Sequence, residues 1–292
     1  MACQTDTKSL ARFFITFEFA GGWTDHQKKT FQKAADRWAK VITHVPCGGN
    51  DEFPPGQLLI IAVLEDIQNK KGIKGGNQPD EAGIKGGALP LKVWEQCQTI
   101  SLAGLIHMKI GDIQTVQVSD FFEAILMNLI GHVIGVGTLW GDCSTCQDDK
   151  DPTWKCPAAV SAYNDLLGDP DGNEDRIIEI ERNNAMSCRS FDEYLFHDEL
   201  MVGVLQWPSY LSKITAASLD DTGYIVDPSQ VDGYTLPALR HGASANAELG
   251  VHLAEEKAVD ITVKIMDEDG DIVGKLDAVK IEFDSHKEDN NE

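Results

Sequence analysis

The chain has 292 residues, of which 42% are hydrophobic and 25% charged, enough for a substantial core in one large domain or two smaller ones. Its 47 acidic residues outnumber the 25 basic ones, and the net charge of −22 argues against binding to nucleic acid or to an anionic membrane surface. No stretch approaches about 18 consecutive uncharged apolar residues, so we expect no transmembrane segment.

The N-terminus and the cysteines bear on the cellular compartment. Residues 1–8 lack the apolar core of a signal peptide, so either the protein is cytoplasmic or the chain begins after a removed signal. Seven cysteines favour the second alternative, an extracellular or secretory location, because three of them lie in the irregular loop 141–156. We favour a structural disulfide there over a zinc knuckle or a redox site, since no second Cys-x-x-Cys pair follows. The candidate disulfide cysteines are Cys143, Cys146, Cys156 and Cys188.

The first elements along the chain are predicted to be strands around an amphipathic helix. Aromatic and β-branched residues at 13–19 are typical of a strand. Apolar residues that recur every three or four positions predict a helix from residue 24 or 25 to about 45. The apolar run 58–64 predicts a buried strand, and 100–110 contains a weaker alternating segment. Residues 68–90, rich in Gly, Lys, Asn and Pro, predict a long surface loop.

The region after residue 140 is less regular. Residues 141–185 hold clusters of Cys, Asp, Pro and Gly around one helical patch at 158–167. Further helices are predicted at 191–205 and 211–219, and the last of these opens at Ser212.

The C-terminal part changes to strict alternation of apolar and polar residues. This pattern predicts a β-hairpin or small β-module at 258–285, with a turn at Asp267–Asp271. It follows a loop at about 238–257, and residues 286–292 are expected to be a disordered, solvated tail.

The helix predicted at 119–134 contains a damaged metal-binding pattern. In His-Glu-x-x-His, two imidazoles four residues apart share a zinc ion and the Glu activates a metal-bound water. The corresponding five positions here are Asn128, Leu129, Ile130, Gly131 and His132. One metal ligand and the general base of such a site are therefore missing.

The residues that follow this helix carry a resemblance to a known family. Gly131–Trp140 is similar to the His-x-x-Gly-x-Gly-Thr-Leu-Trp run of leishmanolysin-like metallopeptidases, which belong to the metzincin group. Glu199–Gly203 resembles their Met-turn. The resemblance covers residues 11 to about 236, and the further similar segments, in the same order, are Phe17–Val41, Ile178–Asn183 and Lys213–Tyr224.

The resemblance assigns a role to each position of the former site. Asn128 replaces the first His ligand, Leu129 replaces the general base, and His132 retains the second ligand. The third ligand, counted back from the Met-turn methionine Met201, falls on Ser190. Three of the four chemical positions are therefore lost, and the resemblance implies no catalytic residue.

These replacements argue against zinc and against catalysis. A lone imidazole with neutral oxygen atoms makes a poor zinc site, and loss of a general base typically reduces the rate by about 10² to 10⁴. Leu129 adds to a helix that is apolar nearly all round, as in a buried scaffold helix. We expect no bound cofactor and a neutral core His132, hydrogen-bonded to Asn128 or Ser190. His197 is an alternative ligand, but a surface position on a helix is the preferred interpretation.

Calcium is the other metal that the acidic sequence suggests. Candidate oxygen-rich turns are Asp169–Asp175 and Asp267–Asp271. The second fails as an EF-hand because Ile272 stands where glycine is required and Ala278 where the twelfth-position Glu is required. Both turns also contain ordinary turn-forming residues.

The resemblance predicts an α+β protein with a metzincin-like zincin domain. Its parts are an N-terminal subdomain at 11–140 with a mixed sheet and the active-site helix, an irregular helical subdomain with the Met-turn at 141–237, and the appended β-module. The expected function is that of a catalytically inactive pseudopeptidase that binds another protein or assembles with itself. The alternative is an active zinc metalloendopeptidase with non-standard ligands drawn from His132, His197 or acids near the cleft.

Overall fold

The structure is a computed structural model. It describes residues 10–46, 53–65, 86–94, 97–110, 113, 121–146, 151–168, 177–182 and 188–237, together with the backbone of 251–252, 263–266 and 272–276. The strands are β1 (Leu10–Arg12), β2 (Phe14–Ala20), β3 (Ile42–Pro46), β4 (Gln57–Glu65), β5 (Gly86–Trp94), β6 (Cys97–Lys109), β7 (Thr153–Trp154), β8 (Ile178–Glu179), β9 (Val204–Leu205), β10 (Ile225–Val226), β11 (Val251–His252), β12 (Val263–Met266) and β13 (Ile272–Leu276). The α-helices are α1 (Asp25–Val41), α2 (Phe121–Ile134), α3 (Pro157–Leu166), α4 (Glu193–Phe196) and α5 (Lys213–Asp221).

The main sheet has four strands in the order β2-β4-β6-β5. Strands β2, β4 and β6 are parallel, and β5 pairs antiparallel with β6 at the edge. The predicted strands at 13–19, 58–64 and 100–110 are confirmed in this sheet. The prediction of a surface loop at 68–90 is wrong for residues 86–90, which begin β5. Their Gly-Gly start and Pro90 imitate a loop, but an edge strand tolerates proline, and the β5 register shifts just after it.

Helix α1 begins as the sequence predicts and ends earlier. Thr24 caps it by accepting a hydrogen bond from the Gln27 backbone, and the Gln27 side chain accepts one from the Thr24 backbone in return. The predicted end at about residue 45 is wrong, because β3 starts at Ile42 and pairs with both β1 and β10. Tertiary strand pairing overrides the continuing apolar spacing at this point.

Helix α2 packs against both the main sheet and α1, which itself contacts β2 of that sheet. It packs against α1, β5 and β6, and all its residues except Glu123 are buried. The indole Nε1 of Trp38 in α1 donates to the Met127 carbonyl at 2.9 Å, and Lys33 pairs with Glu123 at 2.5 Å. The helix is therefore part of the core, as its nearly continuous apolar sequence predicts.

Two of the three helices predicted after residue 140 are confirmed. These are α3 and α5, and Ser212 caps α5 as expected. The predicted helix at 191–205 is wrong, since only α4 is helical and β9 ends the segment. The Phe191 amide bonds the Met201 carbonyl, and the Leu200 amide bonds the Tyr210 carbonyl. These long-range partners take the backbone groups that a helix would have used locally.

The disulfide prediction is confirmed for four cysteines. Cys143 pairs with Cys156, and Cys146 pairs with Cys188, with Cα–Cα distances of 5.0 and 5.7 Å. The first bridge closes the irregular loop after α2. The second ties that loop to the segment that leads into Ser190.

The C-terminal strands β12 and β13 lie within the range of the predicted β-module and pair antiparallel, and the predicted turn at Asp267–Asp271 lies outside the described residues. The predicted loop at 238–257 is wrong at residues 251–252, because β11 pairs there with β9. The predicted tail 286–292 lies outside the described residues.

The fold is α+β with a main core that runs from Phe13 to Leu236 and draws on both halves of the chain, and a small second cluster contains Phe53, Leu102 and Ala103. Within the ranges that the structure describes, no helix has the length and apolar character needed to cross a membrane.

Candidate functional site

Asn128 and His132 lie one turn apart on the same face of α2, and both are buried. The Asn128 side-chain nitrogen Nδ2 donates to the Leu200 carbonyl at 2.8 Å and lies 4.0 Å from the Met201 sulfur. Its oxygen Oδ1 has no hydrogen-bond partner among the described residues. Asn128 therefore ties α2 to the segment that contains Leu200 and Met201.

His132 is held by the end of its own helix. Its Nδ1 lies 2.8 Å from the Val136 carbonyl oxygen, and its Nε2 has no partner in the described part of the chain. Burial lowers the pKa of His132 from 6.5 to about 4; the Val136 hydrogen bond opposes this shift, and the positive charge of Arg189 adds to it. The imidazole is therefore neutral at physiological pH.

The predicted hydrogen bond from His132 to Asn128 or Ser190 is wrong. Each of the two helix side chains bonds a backbone carbonyl instead, at Leu200 and at Val136. The helix ends at Ile134, and Gly135 follows with φ of +136°; the Val136 carbonyl after this turn bonds the ring. A carbonyl one turn away is a local partner that the sequence pattern did not reveal.

Leu129, which the resemblance aligns with a general base, is only 2% exposed and belongs to the main core. An aliphatic side chain can neither accept a proton nor orient a water molecule. Its burial means that the position contributes packing.

Ser190 is fully buried. Its carbonyl accepts from the Glu181 amide at 2.9 Å. At Gly137, with φ of +79°, an added Cβ would lie 1.7 Å from the Arg189 carbonyl oxygen. The backbone at Arg189 therefore approaches Gly137 so closely that only glycine fits at position 137.

Met201 lies fully buried against α2. A Cβ on Gly131 would lie 2.6 Å from the Met201 sulfur and 3.0 Å from the Trp38 ring, so the missing side chain makes room for the methionine. The segments that carry all five positions of the proposed site thus meet around the second half of α2.

Glu199 is a buried residue that the sequence did not indicate as important. One carboxylate oxygen accepts from the Ser212 hydroxyl at 2.8 Å, the Ser212 amide at 3.2 Å and the Thr215 hydroxyl, and the other accepts from the Met201 amide. Burial raises the pKa of the Glu199 carboxyl, and these four donors oppose the rise. The group joins Met201 to the start of α5, and no local sequence signal predicts such a long-range role.

Asp221 is a second residue that the sequence left unassigned. Its carboxylate, at the end of α5, accepts from the amides of Ala158 and Ala159 at 2.8 and 2.9 Å and from Trp154 Nε1 at 3.2 Å. It thereby caps the start of α3, where Cys156 supplies no side-chain cap. The sequence signal that could have indicated this role is the start of α3 at Cys156-Pro157, where the chain offers no capping side chain of its own.

His197 is not the surface residue of a helix that we expected. It follows α4 with φ of +50°, is half-buried, and its Nδ1 is a buried atom with no hydrogen-bond partner among the described residues. The short α4 leaves His197 at a turn.

The site does not fit a zinc ion. Its donors are one imidazole nitrogen and neutral amide and hydroxyl groups, with no thiolate or carboxylate, and zinc sites use His, Cys and acidic ligands. Across the described ranges, no three His, Cys, Asp or Glu side chains are grouped closely enough to hold a metal ion. Both calcium candidates, Asp169–Asp175 and Asp267–Asp271, lie outside the described residues.

The fold and the site define an α+β protein in which a buried helix face carries an amide and a neutral imidazole. No family model matches the chain, and no curated protein matches its sequence.

Proposed function

We propose that the chain is a catalytically inactive pseudopeptidase with a leishmanolysin-like, metzincin-type fold. Support comes from the ordered sequence resemblance and from a mixed sheet packed on the helix that carries the vestigial motif. The observation that carries the proposal is the burial of Leu129 at the general-base position, with the neighbouring Asn128 bonded to Leu200.

The chemistry of peptide hydrolysis lacks its two main contributors at this site. A bound water needs a metal to lower its pKa, and the residues present do not supply a zinc site. Proton transfer needs a base near the attacking water, and a leucine in the core cannot act as one. The fold is therefore proposed to serve binding or assembly.

A secretory or extracellular location is part of this proposal. The Cys143–Cys156 and Cys146–Cys188 disulfides support it, because such bonds persist mainly in oxidising compartments. The proposed partner is another protein or a second copy of the chain. The surplus of acidic residues makes a basic surface the favoured partner.

The second candidate is an active zinc metalloendopeptidase with non-standard ligands. The observation that favours it is the pair of buried ring nitrogens, His132 Nε2 and His197 Nδ1, which lack hydrogen-bond partners among the described residues. A zinc ion bound by such nitrogens would restore a Lewis acid, although the general base would still be absent.

Metal analysis and a casein-cleavage assay with and without chelator separate the two candidates. The pseudopeptidase is expected to purify without stoichiometric zinc and to leave casein intact in both conditions. His132→Phe is the matched variant, since it keeps an aromatic ring and removes both ring nitrogens. Stoichiometric zinc that this variant loses, together with chelator-sensitive cleavage, would overturn the proposal in favour of the second candidate. Light scattering of the purified chain then tests self-assembly.

A further inference from the structure

The orientation of the Asn128 amide is determined by its partner. A carbonyl oxygen cannot donate, so the Asn128 atom 2.8 Å from the Leu200 carbonyl must be the NH₂ group. The other side-chain atom, Oδ1, is then an acceptor, and it is buried without a partner among the described residues.

The same reasoning determines the tautomer of His132. The Val136 carbonyl can only accept, so Nδ1 carries the proton. In the neutral ring Nε2 is therefore a lone pair, and this atom too is buried without a described partner. The helix face thus presents two unsatisfied acceptors.

The two acceptors belong to residues four apart on one face of α2, and such residues have Cβ atoms about 5–6 Å from each other. A single small ligand between the two side chains can therefore bond to both. Buried acceptors without a donor are rare in folded proteins because their desolvation is not compensated. The ligand that satisfies both must donate two hydrogen bonds.

We propose that this face of α2 binds one internal water molecule, which donates one hydrogen to Asn128 Oδ1 and the other to His132 Nε2. Water is favoured over a cation because the donor set contains no anionic ligand, and internal waters commonly join two to four buried polar groups. The water would occupy the helix face that carries metal in the family resembled. This inference rests on the proposed function, in that it requires the absence of a metal.

Nuclear magnetic resonance of the full chain, with water itself as the probe, tests the inference. Long-range proton–nitrogen correlation of His132 is expected to show a proton on Nδ1 and none on Nε2. A long-lived water is expected to give cross-relaxation peaks to the ring protons that flank Nε2 and to the Asn128 side chain. His132→Phe is expected to abolish the water peaks to Asn128.

Asn164→Leu is the matched control. Asn164 is also buried, with an Oδ1 that lacks a described partner, but it lies in α3, so its replacement is expected to leave the His132 signals unchanged. A proton on Nε2, or no long-lived water in a metal-free protein, would overturn the inference and leave the proposed function standing. One equivalent of bound zinc in the wild-type protein would overturn both. The wild-type spectra decide the matter even where the His132 variant fails to fold.

Discussion

Replacing Leu129 by Glu restores the residue type of a general base and tests whether the position belongs to the core. Leu129 is 2% exposed within the main cluster. Loss of a buried leucine side chain typically costs about 2–5 kcal/mol, and an unpaired carboxylate adds its own desolvation. We therefore expect Leu129→Glu to lower the free energy of unfolding by at least about 3 kcal/mol near neutral pH, a large part of a total of about 5–15 kcal/mol.

Urea unfolding of three variants at neutral and mildly acidic pH measures the effect. Leu129→Met keeps the volume and is expected to cost less than about 1.5 kcal/mol, whereas Leu129→Ala reports the cavity alone. Burial raises the folded-state pKa of the introduced carboxyl above its unfolded value of about 4.3. The deficit of the Glu variant relative to wild type is therefore smallest in acid and grows as the pH rises toward neutral.

A small and pH-independent deficit would refute this reasoning. If Leu129→Glu loses less than about 1 kcal/mol, as surface substitutions do, the side chain reaches solvent as in an open cleft. The position would then be a lost catalytic group in an accessible site.

Three further predictions concern Gly137, His132 and Asp221. Gly137→Ala is expected to lower the free energy of unfolding more than Gly168→Ala. Both glycines have positive φ, but only at Gly137 would the added Cβ meet a backbone atom, the Arg189 carbonyl oxygen. The difference between the two variants in unfolding free energy measures this clash and is expected to exceed about 1 kcal/mol. Burial lowers the folded-state pKa of His132 from 6.5 to about 4, so the stability that depends on a neutral His132 is complete above pH 6.5 and is lost as the pH falls toward 4, in total about 3 kcal/mol. Urea unfolding of His132→Phe should therefore show a weaker dependence on acid pH than unfolding of the wild type. Asp221→Ala is expected to lower the free energy of unfolding by about 0.5–2 kcal/mol, because α3 loses its cap. Amide hydrogen exchange is expected to become faster only in the first turn of α3. Unchanged exchange in that turn would contradict the capping role.

The local sequence pattern was sufficient to predict helices and strands whose own apolar residues form their contacts with the core. The apolar spacing predicted α1, and Ser212 was recognised as a cap from its position before α5. The continuous apolar run of β4 predicted a strand buried between neighbours, and β4 lies between β2 and β6. In these cases the residues that specify the element also form its contacts.

Long-range partners explain what the sequence could not predict. Strand β5 begins with Gly-Gly and contains Pro90, and only its pairing with β6 makes it a strand. Residues 191–205 were predicted to form a helix, yet the Phe191 and Leu200 amides donate to the carbonyls of Met201 and Tyr210. At the site, the residue types at 128 and 132 were evident, but their carbonyl partners depend on how the helix ends and on where the Leu200 segment lies.

In the proposed pseudopeptidase, the cross-link that a metal would provide has been replaced by other contacts between the same segments. The Asn128 amide bonds the Leu200 carbonyl, and the absence of a side chain at Gly131 lets Met201 pack against α2. The Cys146–Cys188 disulfide ties down the chain that leads into Ser190. The helix, the Met-turn and the third-ligand segment are thus joined without a metal ion. The catalytic residues can therefore be replaced while the fold, and the binding surface that it presents, is kept.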